Sequence, residues 1–190
     1  MLLIIDCGYK YIQALTELVD QYMDFEVVSL LDTNPEAISK YDGIVISSAQ
    51  ITVNAAPIDQ YLEKLSFINT ANLPVLGIGI GHHLLGALYE GFPSYQPYSN
   101  DFVGISILKD HKIFDKLPYE IEMLVDHAGT ISIPPNFELL ASSDASINEA
   151  MSHTEKPIIG IQFLPEKSGN HGSIIIENFV NLVSEYKRNK

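Results

Sequence analysis

Apolar residues follow two alternating patterns up to Gly91, short unbroken runs and stripes with helical spacing. Unbroken runs predict strands buried on both faces, and stripes spaced three or four residues apart predict helices that cover a sheet. This alternation indicates a doubly wound parallel sheet. The predicted strands are residues 2–6, 26–31, 43–47 and 75–78, and the predicted helices are residues 11–23, a short helix starting at 34–36, and residues 57–67 and 81–89.

The pattern changes after Gly91, where short β-like runs follow one another without a helical stripe. Turn signals such as Pro134-Pro135-Asn136 separate the runs. A partly antiparallel segment of this kind commonly extends a parallel sheet. We therefore predict an α/β, flavodoxin-like, doubly wound and mostly parallel sheet with an added β-rich segment, in a single domain of residues 1–190. The predicted later elements are strands 103–108, 121–125, 138–142, 150–153 and 158–163 and a closing helix, 173–187.

Charge and composition narrow the classes of partner. The chain has 24 acidic and 11 basic residues, a formal net charge of −13, and this argues against nucleic-acid binding, which needs clustered Lys and Arg. An acidic surface is compatible with a basic partner. No apolar stretch is long enough to span a bilayer, so no membrane partner is expected. The single cysteine, Cys7, excludes an intramolecular disulfide, and with an N-terminus unlike a signal peptide it favours the cytoplasm.

Residues 74–86, PVLGIGIGHHLLG, predict a strand, a tight glycine turn and the start of a helix. Several hydrolytic α/β folds hold a nucleophile at such a turn. Here the apex is Gly79, which has no side chain, and glycine relieves the strain of the turn. A dinucleotide-binding loop is the alternative, but its fingerprint requires a sixth-position glycine where this chain has His82.

Four segments in order resemble class I (triad-type) glutamine amidotransferases: IIDCGYKYIQ, GIVISSAQ, PVLGIGIGHHLLG and PIIGIQFLPE. The free-standing glutaminase subunits of archaeal-type GMP synthetases are the most similar members. The resemblance implies a cysteine nucleophile activated by a His-x-Glu pair, with backbone N–H groups that hold the oxyanion. It also implies no cofactor and a partner synthetase (ATP-pyrophosphatase) subunit.

The resemblance places the nucleophile at Gly79 and the histidine at Leu164, and only Glu166 keeps the identity that it implies. Glycine carries no nucleophile and leucine cannot transfer a proton. Members of a triad act as a unit, so the loss of two removes most of the acceleration.

The remaining positions concern the oxyanion and substrate pocket. The usual Ser-Gly-Gly-Pro loop is replaced by Ser47, Ser48, Ala49 and Gln50, which adds β-carbons to a turn that must aim an N–H inward. Ile80 follows the apex, His83 stands where the resemblance has glutamine, and His127 matches a segment that lies beside the active site.

These substitutions predict a catalytically degenerate member that keeps a binding or regulatory role, docking on a synthetase or holding a small-molecule ligand. The alternative is a glutaminase subunit of GMP synthetase that supplies ammonia through unexpected residues. A third reading is an unrelated activity that uses Cys7, His83 or His127.

Ordinary structural roles compete with these functional ones. Cys7 follows the first strand and is expected to be a buried, inert thiol rather than a relocated nucleophile. His82 and His83 open the predicted helix, where a histidine is not electrostatically favoured, so one of them is expected to be hydrogen-bonded or exposed. Surface or capping positions are expected rather than a metal site, since the six histidines lack ligand spacing. His127 is equally expected as a polar loop residue, and Glu166 as a cap or a partner in an ion pair.

Overall fold

A computed structural model describes residues 1–50 and 58–189. In this part of the chain, strands and helices alternate up to residue 88, strands follow, and one long helix ends the described chain. The strands are β1 Leu2–Asp6, β2 Phe25–Ser29, β3 Gly43–Ile46, β4 Val75–Ile78, β5 Pro93–Ile107, β6 Glu120–Ile131, β7 Phe137–Ser142, β8 Ala150–His153 and β9 Ile158–Ile161, and the helices are α1 Ile12–Val19, α2 Ile58–Leu65, α3 Ile80–Leu88 and α4 Gly169–Arg188.

The nine described strands form one sheet in the order β2-β1-β3-β4-β9-β8-β7-β5-β6. Every pairing from β2 to β9 is parallel. The pairings from β9 to β6 are antiparallel. The α/β class with a β-rich extension is therefore confirmed, as a mixed sheet whose parallel half is formed largely by the first part of the chain.

Successive residues of the parallel strands point to opposite faces of the sheet, so each face has its own core. Leu2 and Ile4 of β1 lie in the cluster that α1 and α4 cover. Leu3 and Ile5 lie in the cluster that α2 and α3 cover. Burial on both faces explains why these strands are unbroken apolar runs.

The β5–β6 hairpin is much longer than the sequence pattern predicts. The expected strands, residues 103–108 and 121–125, are only its inner part. The outer half of β5 is mostly exposed, yet it pairs through its backbone with β6 as far as Pro93. In the outer half of β5, main-chain pairing without burial leaves no alternation of apolar residues, so the pattern missed it. In β6 every second position stays buried as far as Ile131, but His127 and Gly129 occupy two of these positions and carry no apolar side chain.

Helix boundaries differ from the prediction at several points. The expected helix 11–23 is only Ile12–Val19, and the segment after Asn34 is a 3-10 helix, Pro35–Lys40. Pro57, the expected first residue of another helix, lies outside the described residues. Helix α4 begins at Gly169 rather than residue 173. Among the described helices, none has the length and apolar character needed to cross a membrane.

The carboxyl ends of β1, β3, β4 and β9 meet at one edge of the sheet, as parallel pairing requires. The chain leaves them through four short segments, residues 7–11, 47–50, 79 and 162–168. Open α/β sheets form their sites at this edge. The segments that carry the family resemblance therefore converge in space.

Candidate functional site

Gly79 is the apex of the turn between β4 and α3, and its backbone conformation favours glycine. Its φ is +56° and its ψ is −114°, values that residues with a side chain rarely adopt. The Gly79 N–H donates to the carbonyl oxygen of Ile161 at 2.9 Å, which ties the turn to β9. The sharp turn expected at this position is present.

The neighbouring glycines permit close contact between strand and helix. A β-carbon on Gly81 would lie 2.3 Å from the carbonyl oxygen of Ile46. One on Gly77 would lie 2.6 Å from the carbonyl oxygen of Gly81. Packing therefore accounts for these two glycines without a dinucleotide.

The space that a side chain at residue 79 would enter is already filled. A β-carbon on Gly79 would lie 2.4 Å from Oγ and 2.8 Å from Cβ of Ser48, and 3.2 Å from Cδ2 of Leu164. Ser48 and Leu164 are both buried. Distances below 3.0 Å require a shift, so a residue with a side chain fits here only if Ser48 moves.

Ser47 and Ser48 tie the loop after β3 to its neighbours. The Ser48 hydroxyl accepts a hydrogen bond from the Ile80 N–H at 3.2 Å. The Ser47 hydroxyl accepts from the Cys7 N–H at 3.0 Å and donates to the Ser48 carbonyl oxygen at 2.8 Å. The resemblance assigns the Ile80 N–H to the oxyanion, and in this chain that N–H already has an acceptor.

Glu166 and Leu164 follow β9, and the position that the resemblance assigns to a histidine carries the Leu164 side chain, which contacts the turn at Gly79. Leu164 is fully buried, and its N–H donates to the Leu124 carbonyl oxygen at 2.8 Å. Glu166 accepts a short hydrogen bond from the Tyr9 hydroxyl. Burial raises the pKa of Glu166 to about 7. The expected ion pair at Glu166 is not formed within the described residues, because the side-chain partner of the carboxyl group is the Tyr9 phenol. A backbone N–H at the start of the 3-10 helix Pro165–Lys167 also bonds the carboxylate, in the manner of the expected cap.

His82 and His83 are buried within α3, so the expected surface or capping positions are wrong, while the hydrogen bond expected for one of them is present at His83. The His82 ring packs against Gly160, where a β-carbon would lie 2.5 Å from Nδ1. The His83 Nε2 lies 3.0 Å from Oε1 of Gln162. Burial lowers the pKa of His83 to about 4 and lowers the pKa of His82 well below its ordinary value. Both imidazoles are therefore neutral near pH 7.

His127 lies in β6 and not in a loop, so its expected loop position is wrong. Its ring centroid is 6.0 Å from that of His83. Its side chain is buried, and burial lowers the pKa of the imidazole. Within the described residues, no group of three or more His, Cys, Asp or Glu side chains is placed to hold a metal ion.

Cys7 follows β1 at the same edge of the sheet. The residue keeps some exposed surface, but its thiol packs closely enough that desolvation raises the pKa of Cys7 to about 12. A thiol with that pKa is protonated near neutral pH and is a poor nucleophile. Its sulfur lies 4.0 Å from the carbonyl oxygen of Ile5. The geometry favours the inert thiol of the sequence prediction.

A cleft of about 230 Å³ opens beside this edge. Its two formal charges form an ion pair, with Lys10 Nζ 2.6 Å from Asp126 Oδ2. The Tyr98 hydroxyl also donates to Asp126, at 2.9 Å. The lining residues are Tyr9, Lys10, Ala49, Gln50, Ile80, Tyr98, Asp126, His127 and Ala128.

Three of the predicted site residues, Ala49, Ile80 and His127, line the cleft. The others pack outside its lining, at the turn and in the buried layer around it: Gly79, Ser47, Ser48, His83, Leu164 and Glu166.

Sequence reasoning missed the polar half of the cleft. Tyr9 and Lys10 lie within IIDCGYKYIQ, the first of the segments that carry the family resemblance, and Asp126 directly precedes His127. Their closeness in sequence to predicted site residues could therefore have identified them. Tyr98 carried no signal, because it lies in the irregular part of β5 between Tyr95 and Ser99.

A family model described as class-I glutamine amidotransferase matches residues 3–182. The chain belongs to this family. A glutamine-hydrolyzing GMP synthase subunit of Pyrococcus abyssi is 32% identical and covers 97% of this chain and 100% of that protein. The corresponding protein of Methanopyrus kandleri is 31% identical over the same shares.

Solved structures share the class I glutamine amidotransferase fold. A Thermoplasma acidophilum protein, provisionally named a GMP synthase subunit, superimposes with a TM-score of 0.91 at 23% identity, covering 99% of this chain and 96% of that one. A glutamine amidotransferase from Thermotoga maritima gives a TM-score of 0.74 at 14% identity, covering 98% and 85%. At these identities the likeness concerns the fold alone.

Proposed function

We propose that this class I glutamine amidotransferase family member does not hydrolyse glutamine through a thioester and instead serves a binding or regulatory role at the cleft. The observation that carries the proposal is the filled space above Gly79. A nucleophile is absent from the apex, and Ser48 and Leu164 occupy the volume where its side chain would start.

Three further features support the loss of acyl chemistry. Leu164 cannot accept a proton, so no imidazole stands at the position assigned to the base. The Ile80 N–H is bonded to Ser48 and so is not free for an oxyanion. The raised pKa of Cys7 disfavours the thiolate that thioester formation needs.

The proposed role includes docking on a synthetase (ATP-pyrophosphatase) subunit. The relatives are named as subunits, which supports a multi-subunit setting for this chain. Four aromatic side chains on and beside β5 are more than half exposed, and aromatic residues are enriched at protein interfaces. They are Phe92, Tyr95, Tyr98 and Phe102.

A second candidate is the glutaminase subunit of a GMP synthetase. The names of the relatives favour it, with identities above 30% over almost the whole chain. It requires a nucleophile other than residue 79, and Cys7 holds the chain's single thiol.

Ammonia release from glutamine by the purified chain separates the two candidates. The assay is run with and without the ATP-pyrophosphatase subunit of GMP synthetase from the source organism, with the Pyrococcus abyssi relative as positive control. We expect release at the level of the enzyme-free blank and no covalent labelling by a glutamine-mimicking electrophile. Ammonia release that is present in the wild type and absent from both Cys7→Ala and Cys7→Ser would establish the glutaminase instead.

A further inference from the structure

In the part of the chain that the structure describes, the exposed aromatic side chains all lie in the β5–β6 hairpin or directly beside it. Isolated exposed apolar residues are normal, but a concentration of them on one element marks a surface that contacts another molecule. Packing of the core does not explain these rings, because they are outside it. They are Phe92, Tyr95, Tyr98, Phe102 and Tyr119.

The register of the hairpin places Phe102 on the same face as two carboxylates. Gly104, two residues after Phe102, lies opposite Glu122, and Glu120 lies two residues before Glu122. Opposite residues of an antiparallel pair share a face, as do alternate residues along a strand. Phe102, Glu120 and Glu122 therefore lie on one face, and all three are exposed.

Gly104 leaves a gap in this face. The residue is exposed, and a β-carbon on it would meet no atom within 4 Å. Phe102 borders the gap along β5 and Glu122 borders it across the strand pair, at the roughly 5–8 Å between β-carbons of neighbours on a sheet face. A flat group can therefore enter between the ring and the carboxylate. We call this surface, formed by Phe102, Gly104, Glu120 and Glu122, the hairpin face.

The chain supplies no cation to the hairpin face. Lys and Arg are absent from residues 65–108 and 117–155, which include both strands of the hairpin. The ion pairs formed between described residues include neither Glu120 nor Glu122. The whole chain has a net charge of −13. The hairpin face therefore attracts cationic groups of another molecule and repels nucleic acids and anionic membranes.

Arginine is the cation that suits an aromatic ring beside a carboxylate. Its guanidinium group is planar, stacks on aromatic faces and donates two parallel N–H bonds to one carboxylate, whereas an ammonium group is a compact point charge. We infer that the hairpin face docks a partner protein through an arginine side chain that stacks on Phe102 and donates to Glu122. The inference rests on the docking role in the proposed function and names the chemistry that the partner presents.

The test compares two peptide probes, nona-arginine and nona-lysine, by calorimetry at about 150 mM salt, which screens long-range attraction to the acidic surface. We expect nona-arginine to bind more tightly. Phe102→Ser leaves the net charge unchanged and should weaken nona-arginine binding about threefold, the usual order for one exposed cation–π contact. The matched control, Leu31→Ser, removes an exposed apolar side chain just after β2 and should leave the affinity unchanged.

Two further substitutions test the carboxylate and the gap. Glu122→Gln should weaken nona-arginine binding about threefold, the upper end for an exposed ion pair. Glu63→Gln removes the same charge from an exposed position on α2 and should have a smaller effect. Gly104→Thr fills the gap without a clash, so it should weaken binding without lowering the free energy of unfolding. Equal effects of the two glutamine substitutions, or full affinity in Gly104→Thr, would contradict the inference.

Titration of the unmodified protein gives a measurement that does not depend on a variant folding. The amide resonance of Gly104 should shift as nona-arginine is added, and that of Gly8, on the loop after β1, should not. Equal affinity for the two peptides, or an affinity unchanged by Phe102→Ser, would overturn the inference. Ammonia release, measured separately, would instead overturn the proposed function, so the two failures are distinguishable.

Discussion

Gly79 and Ser48 fit together as a pair of residues. The first lacks a β-carbon, and the hydroxyl of the second lies where that β-carbon would begin to crowd it. The same hydroxyl satisfies the Ile80 N–H, a buried donor that needs an acceptor. The two residues therefore suit each other. A side chain at residue 79 alone would clash with Ser48, and glycine at residue 48 alone would leave the Ile80 N–H without its acceptor.

The filled space at the turn predicts a difference between two glycine substitutions. Gly79 and Gly8 both have positive φ, but a β-carbon on Gly8 has nothing within 4 Å. Both changes to alanine incur backbone strain of about 1 kcal/mol. Gly79→Ala should lose a further 1–3 kcal/mol, roughly, from overpacking against Ser48. Urea unfolding of the two variants measures the difference, and equal free energies of unfolding would show that the space is not filled.

Glu166 predicts a pH dependence of stability. Its folded-state pKa, about 7, lies above the ordinary value of 4.5, so the folded state favours the protonated carboxyl group. The stabilisation is complete below about pH 4 and is lost as pH rises through 7, with a size on the order of 3 kcal/mol. Glu166→Gln should therefore gain stability relative to wild type at pH 8 and not at pH 4.

Urea unfolding at both pH values checks this, with the exposed Glu63→Gln as control. Burial also raises the pKa of Glu149 to about 7. Its titration changes the free energy of unfolding of wild type and variants equally, so it cancels when the two are compared. An equal effect of Glu166→Gln at both pH values would contradict a raised pKa.

For single residues, the sequence shows which positions depart from the family pattern, but it does not show which side chains contact them. Gly79, Leu164 and Ser48 were located because they break a pattern of residues, which is visible in one dimension. The hydrogen-bond partner of Glu166 could not be located in this way, since Tyr9 is 157 positions away and only the pairing of the parallel strands brings the two residues together. His82 and His83 were misplaced because a polar residue in a helix gives no sign in the sequence that tertiary packing will bury it.

The strands differ in how well the pattern of apolar residues predicts them. The inner strands β1, β3 and β4 are buried on both faces, so their apolar runs predicted them closely. The outer half of β5 is held by pairing to β6 alone, and its residues carry no periodic signal. Its exposed aromatic residues are therefore available for contact with another protein.

The two halves of β5 should respond differently to substitution. Ile105 is fully buried, whereas Phe102 is 54% exposed. Ile105→Ser should lower the free energy of unfolding by about 3 kcal/mol or more, because it loses apolar burial and leaves a hydroxyl inside. Phe102→Ser should change it by less than about 0.5 kcal/mol. Denaturant midpoints measure both, and a large loss in Phe102→Ser would show that this half is part of the core.

The charge of the whole molecule bears on its partners. With 24 acidic and 11 basic residues, the chain repels anionic surfaces and attracts basic ones. The Lys10–Asp126 pair keeps the cleft locally neutral within this acidic surface. Partner docking and ligand binding should therefore depend differently on salt.

Docking on the synthetase subunit should weaken as salt is added. Raising the salt from about 50 to 500 mM should lower the affinity roughly tenfold or more through slower association, because screening removes long-range attraction. Surface plasmon resonance with the synthetase subunit measures this, and Phe102→Ser should weaken binding at every salt concentration. Salt-independent affinity would argue against an electrostatic contribution.

The main-chain hydrogen bond from Gly79 to Ile161 keeps the turn in its conformation although residue 79 has no reactive side chain. The conformation of the turn therefore depends on backbone pairing and packed glycines, and its reactivity would depend on a few side chains. A new reactive side chain could be introduced at residue 79 without rebuilding the loop, provided that Ser48 is replaced by a smaller residue.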